Sequence, residues 1–176
     1  MQIGESFVGD GVDAAHVNTV LGDRDGPAGV AWATALATPR QGHVPFVAVL
    51  RPGLPTRPLT LFVNKATVAD DAHATLTWGA AQAGVAAGVA DAVHAGTVSA
   101  ELAQEWVLIA AVWVNPAAAD AEAVYANNRE ATARALAAGA AGLPTTDEVL
   151  AARGAPENPF FRPGEGADLR PGGGTG

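Results

Sequence analysis

Cysteine is absent from the 176 residues. That excludes disulfides, thiolate nucleophiles and cysteine metal sites together. Lysine is almost absent: Lys65 is the one lysine, and the other nine basic residues are arginines. Charge of either sign is sparse, at 16%, against about 25% in an average soluble domain. A chain so poor in charge often covers part of its surface by self-association. The net charge is −8, and no basic cluster with interleaved aromatics occurs. A nucleic-acid face is therefore not expected. Walker, Gly-x-Gly-x-x-Gly, Gly-x-Ser-x-Gly and His-Glu-x-x-His patterns are missing from their required settings. The four histidines, His16, His43, His73 and His94, lack metal-ligand spacing, so no metal is expected. The longest low-charge run, 78–114, is interrupted by Asp91, His94, Glu101 and Glu105, so no membrane span is expected. The opening Met-Gln-Ile-Gly-Glu-Ser has neither a basic nor an apolar leader segment. The expected location is the cytoplasm.

What is present is 49% hydrophobic residues, much of it alanine. The length suits one domain with a real core. Residues 2–8 predict a first strand. Gly9-Asp10-Gly11 predicts a turn, and 14–21 a second strand paired with the first. Pro27 predicts the first turn of a helix running to about Thr38. The apolar runs 44–50 and 59–68 predict two core strands, joined by an extended arch containing Pro52, Pro55 and Pro58. Asp70 or Asp71 can cap a helix. The small-residue stretch 78–95, with Gly79, Gly84 and Gly88, predicts a helix that another backbone can approach closely. Further elements are a short helix from Ser99, a strand over 107–114, a helix over 117–138 and a short helix over 145–153. The order predicts an α+β fold, a mostly antiparallel sheet with helices on one face. The domain is expected to cover 1–162, with a Gly/Pro-rich disordered tail at 163–176.

Alternation within 14–21 puts His16, Asn18 and Val20 on one strand face. Two polar side chains there are unusual for a face meant only for packing. His16 reads either as a strand histidine satisfied by a neighbour or as an acid/base group. Lys65 sits near the end of the apolar strand 59–68. It reads as a solvent-reaching side chain, as a ligand for an anion or polar group, or as an amine nucleophile. Gln82 offers an amide that can cap locally or bind a heteroaromatic ring. Asp10 reads as a turn former. These residues alone define a polar cluster on an α+β oligomer.

A set of runs in fixed order resembles the formaldehyde-activating enzyme family. They are Gly9-Asp10-Gly11, Ala15-His16-Val17, Pro52-Gly53-Leu54-Pro55, Asn64-Lys65-Ala66-Thr67-Val68 and Gly79-Ala80-Ala81-Gln82-Ala83-Gly84-Val85-Ala86. The likeness continues through Asp91-Ala92-Val93 and 107–114 to Asn158-Pro159-Phe160, spanning about residues 2–161. The resemblance implies a carbon–nitrogen lyase of one-carbon metabolism. It condenses formaldehyde with tetrahydromethanopterin, as co-substrate, to methylene-tetrahydromethanopterin and water. It implies a homopentamer with sites between subunits, on a fold similar to ribosomal protein S5 domain 2. It assigns the acid to His16 and pterin contacts to Asn18, Val47, Lys65, Thr67 and Gln82. Position 18 departs from the family pattern, which has aspartate, and position 83 carries alanine where histidine is frequent. The alternative implied by Asn18 is a non-catalytic formaldehyde or pterin binder, or a one-carbon enzyme with another amine acceptor.

Overall fold

The computed structural model describes residues 1–158 and Pro163. Met1–Leu143 form one compact unit, and a second begins at Pro144. In the first unit a five-stranded sheet has the order β1-β2-β7-β6-β3. The strands are β1 Gln2–Val8, β2 Ala15–Asp23, β3 Phe46–Val47, β6 Leu59–Asn64 and β7 Trp106–Trp113. β4 Val49–Arg51 and β5 Leu54–Pro55 make a separate small hairpin.

β1 and β2 form the expected hairpin, with Glu5 opposite Asn18 and Phe7 opposite His16. Glycine is required at its turn, where Gly9 and Gly11 hold φ of 84° and 66°. β2 alternates strictly at its centre. Ala15, Val17, Thr19 and Leu21 are buried, whereas His16, Asn18 and Val20 are only half-buried. The buried side carries both parts of the core. One gathers Val17, Phe62, Val85, Val112 and Val124; the other gathers Leu21, Val89, Leu108 and Leu136.

Two helices supply the other half of that core, α3 Gln82–His94 and α5 Ala121–Ala141. They pack almost backbone to backbone. A Cβ at Gly84 would lie 2.4 Å from the Tyr125 carbonyl oxygen, and one at Gly88 2.4 Å from that of Arg129. The small-residue surface expected from the sequence thus meets a helix of the same chain. α5 also presses on β1, since a Cβ at Gly4 would fall 1.8 Å from the Ala135 carbonyl oxygen. α1, Pro27–Ala37, lies against β2 and β7, with Pro27 in its first turn as expected.

The structure corrects several expected boundaries. The sheet is mixed: three of its four pairings are antiparallel, but β6 and β7 run parallel. The chain between them passes through α2 (Asp71–Thr75), a π-helical stretch at Leu76–Ala81, α3 and α4 (Ala100–Glu105). Such a helical crossover returns the chain to the end it left, which is what parallel pairing requires. The apolar run 44–50 is not one strand. At Ala48 the chain leaves the main sheet, its N–H bonding Thr60 O while its carbonyl accepts from Thr56 N. β6 ends at Asn64, short of the expected Val68, because Asn64 donates to Gly42 O and Ala66 O and draws the chain into a turn. The helix expected from Trp78 starts at Asp71, capped by Asp70 accepting from His73 N. The helix expected from residue 117 starts at Ala121, because Asp120 accepts from Glu122 N and Ala123 N as its cap.

In the second unit α6, Thr146–Ala152, begins with a capping box between Thr145 and Glu148. Pro159, Phe160 and the tail expected at 163–176 lie, apart from Pro163, outside the described residues. Among the described residues no helix is long and apolar enough to cross a membrane.

Candidate active site

The half-buried face of the sheet carries a row of polar groups. Register places them: Asn18 is opposite Glu5 on one side and Ala111 on the other, and Ala111 is level with Val63. Lys65 lies two residues beyond Val63, so it shares this face. The short Ala111 side chain on β7 leaves a lane between β2 and β6. Across it Lys65 Nζ donates to Asn18 Oδ1 at 2.5 Å. The ammonium that follows an apolar strand therefore has a partner.

His16 is the next group in the row. Its Nε2 lies 2.8 Å from Glu5 Oε1 and 3.4 Å from Asn18 Nδ2. Lys65 holds Asn18 Oδ1, so the amide must turn its NH₂ toward the imidazole. One nitrogen cannot donate to the carboxylate and accept from the amide in the same tautomer. The shorter contact decides: Nε2–H donates to Glu5, and Asn18 remains a loose neighbour. Nδ1 makes no hydrogen bond among the described residues. The His16 side chain is 30% exposed and the Glu5 side chain 60%. Phe7 packs beside the ring, with centroids 5.7 Å apart. A partly exposed imidazole held by a carboxylate on one nitrogen, with the other unbonded among the described residues, suits proton transfer to a small molecule.

Glu5 is the functional candidate that sequence reasoning missed. The signal was available, since strand alternation and the Gly9–Gly11 turn together bring residue 5 beside residue 18.

The remaining expected site residues are placed separately. Val47 pairs with Leu61 and so belongs to the same sheet face, at the β3 edge. Thr67 lies past the end of β6, its hydroxyl 3.1 Å from His43 Nε2. Gln82 is not brought to the row within this chain. It is buried at the start of α3, where its amide makes two 3.1 Å hydrogen bonds with Val49, accepting from N–H and donating to the carbonyl. His73 is also buried and bridges Ala69 N to Val114 O, which is a structural use of the ring. Among the described residues no group of three or more His, Cys, Asp and Glu is arranged to hold a metal ion.

An α+β scaffold carrying this row is an arrangement suited to acid–base chemistry on a small polar molecule. A sequence model described as formaldehyde-activating enzyme matches residues 3–161, and the chain belongs to that family. It is 40% identical over 158 residues to the 5,6,7,8-tetrahydromethanopterin hydro-lyase of Methanosarcina barkeri, an overlap covering 90% of this chain and 89% of that protein. It is 42% identical over 159 residues to the bifunctional enzyme Fae/Hps of Archaeoglobus fulgidus, covering 90% of this chain and 40% of the relative. The corresponding protein of Methanococcoides burtonii is 43% identical over 150 residues, covering 85% and 38%. The chain thus spans about two fifths of the bifunctional relatives and most of the hydro-lyase.

Proposed function

We propose that this chain is a carbon–nitrogen lyase that condenses formaldehyde with tetrahydromethanopterin, giving methylene-tetrahydromethanopterin and water. The single observation that carries the reading is the His16 imidazole, held through Nε2 by Glu5 with no hydrogen bond to Nδ1 among the described residues. Family membership and the name of the hydro-lyase relative support the substrate pair.

The chemistry follows from the proton balance. Two amine N–H bonds are lost, two C–N bonds form, and the aldehyde oxygen leaves as water. Loss of that oxygen needs a proton on the adduct hydroxyl, and His16, as the imidazolium, supplies it from Nδ1. Glu5 stabilises the imidazolium before the transfer and keeps Nε2–H in place after it. The second amine then closes on carbon and returns a proton, which resets His16. The condensation also proceeds unaided, so holding the two reactants together contributes much of the acceleration. Lys65 orients the pterin or polarises the aldehyde oxygen. Asn18, Val47, Thr67 and Gln82 complete the pterin contacts.

Within one chain Gln82 stands apart from His16, which supports a site completed by a neighbouring subunit, as in a homopentamer. Exposed Val44, Leu50, Leu54 and Trp78 supply apolar surface for such an assembly. The catalytic domain extends to residue 162, with a likeness to ribosomal protein S5 domain 2, and the enzyme acts in the cytoplasm without a metal.

Asn18 favours a second reading, a binder or an enzyme with a different amine acceptor. A carboxylate there would accept from both Lys65 and His16, whereas the amide accepts from Lys65 alone. Calorimetric titration with tetrahydromethanopterin and tetrahydrofolate, followed by turnover with formaldehyde, separates the readings. Binding of tetrahydromethanopterin with turnover supports the first. Binding without turnover supports the binder, and no binding of that pterin supports another acceptor.

A further inference from the structure

His43 lies outside every motif the sequence singled out, yet it contacts a residue given a pterin contact above. Its Nδ1 is 3.0 Å from the backbone carbonyl of Asn64. A carbonyl oxygen only accepts, so Nδ1 carries the proton. In the neutral ring Nε2 is then a lone pair. Thr67 Oγ1 lies 3.1 Å from that nitrogen, so the hydroxyl must donate to it. A threonine hydroxyl has one proton. Once it is committed to His43, only lone pairs face outward, and Thr67 is exposed.

The rotamer is held from the other side as well. Gly42 has φ of 73°, and a Cβ there would lie 2.5 Å from Thr67 Cγ2. The threonine methyl fills space that only glycine leaves. Buried Asn64 binds the two segments together, donating to Gly42 O and Ala66 O at 2.8 Å each. Val68 N adds a longer bond to Gly42 O at 3.4 Å. The arrangement is complete before any ligand arrives, as a preorganised site requires.

We propose that His43, with Gly42, fixes the Thr67 hydroxyl as a hydrogen-bond acceptor that selects a ligand N–H. This rests on the reading above, in which Thr67 contacts the pterin, and it names the kind of group contacted: a ring or amino N–H, not a carbonyl. Lys65, two residues earlier, can only donate. The two side chains therefore present opposite polarities to the ligand. His43 is a positioning residue, acting through Thr67.

The test has two arms. Nitrogen-15 NMR of the unliganded full chain reads the His43 tautomer directly. A protonated Nδ1 with an unprotonated Nε2 is expected, and a proton on Nε2 in the neutral ring overturns the proposal. Steady-state kinetics of His43→Phe, His43→Gln and Thr67→Val form the second arm. Loss of one oriented hydrogen bond predicts a rise of about three- to tenfold in KM for tetrahydromethanopterin in His43→Phe and Thr67→Val. KM for formaldehyde and kcat should hold within about twofold, since neither side chain touches the reacting atoms. His43→Gln should recover part of the loss, because its amide oxygen can accept from Thr67. A raised pterin KM in Thr67→Val with none in His43→Phe overturns the proposal. If the wild-type chain fails to turn over the pterin, the functional reading fails, and the tautomer alone decides this inference.

Discussion

Replacing Glu5 by glutamine keeps the side chain's length and one acceptor oxygen but removes its charge. The bond to His16 Nε2 survives, so the change isolates the charge's contribution. At 2.8 Å two unit charges attract by about 1.5 kcal/mol in bulk water. The pair is close to that limit, because the carboxylate side chain is 60% exposed. Ordering two side chains and screening by salt reduce the net to about 0.2–1 kcal/mol. That corresponds to a loss of roughly 1.5- to 5-fold in kcat/KM. His16→Ala removes the acid itself and should cost about 10²- to 10⁴-fold. The assay follows methylene-tetrahydromethanopterin, with the spontaneous rate subtracted. If Glu5→Gln falls as far as His16→Ala, Glu5 is itself an acid and the assigned roles are wrong. If Glu5→Gln matches the wild type, the ion pair carries nothing.

Three other changes test the surroundings. Gly88→Ala forces a methyl to within 2.4 Å of the Arg129 carbonyl oxygen, so α3 and α5 must separate; the cost should be about 1–3 kcal/mol, seen as a lower midpoint in thermal denaturation. Asn18→Asp gives Lys65 a charged partner and His16 a second acceptor, and should raise kcat/KM several-fold; a loss would mean the amide is the better group for this substrate. Asp91 is held below the ordinary carboxylate range chiefly by its hydrogen bond from Arg129, which outweighs the opposing effect of burial, with smaller help from the charges of Arg129 and His94. A depressed folded value means the stabilisation is present above the unfolded carboxylate range and is lost as pH falls through the folded value. Asp91→Asn should therefore lower the thermal midpoint at neutral pH and converge with the wild type in strong acid.

Local patterns were legible where one cause governs them. Strand alternation placed His16 and Asn18 together. Pro27 and the Asp70-Asp71 pair marked helix starts, because a missing N–H and a capping carboxylate act on neighbouring residues. Gly84 and Gly88 announced a close backbone approach, although not that α5 would be the partner. What stayed hidden depends on contacts distant in sequence. The parallel β6–β7 pairing follows from how the α2–α4 crossover closes. The break at Ala48 follows from bonds to Thr56 and Thr60, and no apolar pattern records it. The bonds of Gln82 to Val49 were hidden because they run to backbone groups that carry no sequence signature. Glu5 was within reach, since the Gly9–Gly11 turn sets the register that brings it beside His16, but His43 needed the turn after Asn64.

The most direct measurement mixes the purified chain with formaldehyde and tetrahydromethanopterin and follows the methylene product against a protein-free control. Formation should be proportional to protein concentration, well above the spontaneous rate and almost abolished in His16→Ala. Formation equal to the control, or undiminished in His16→Ala, would contradict it.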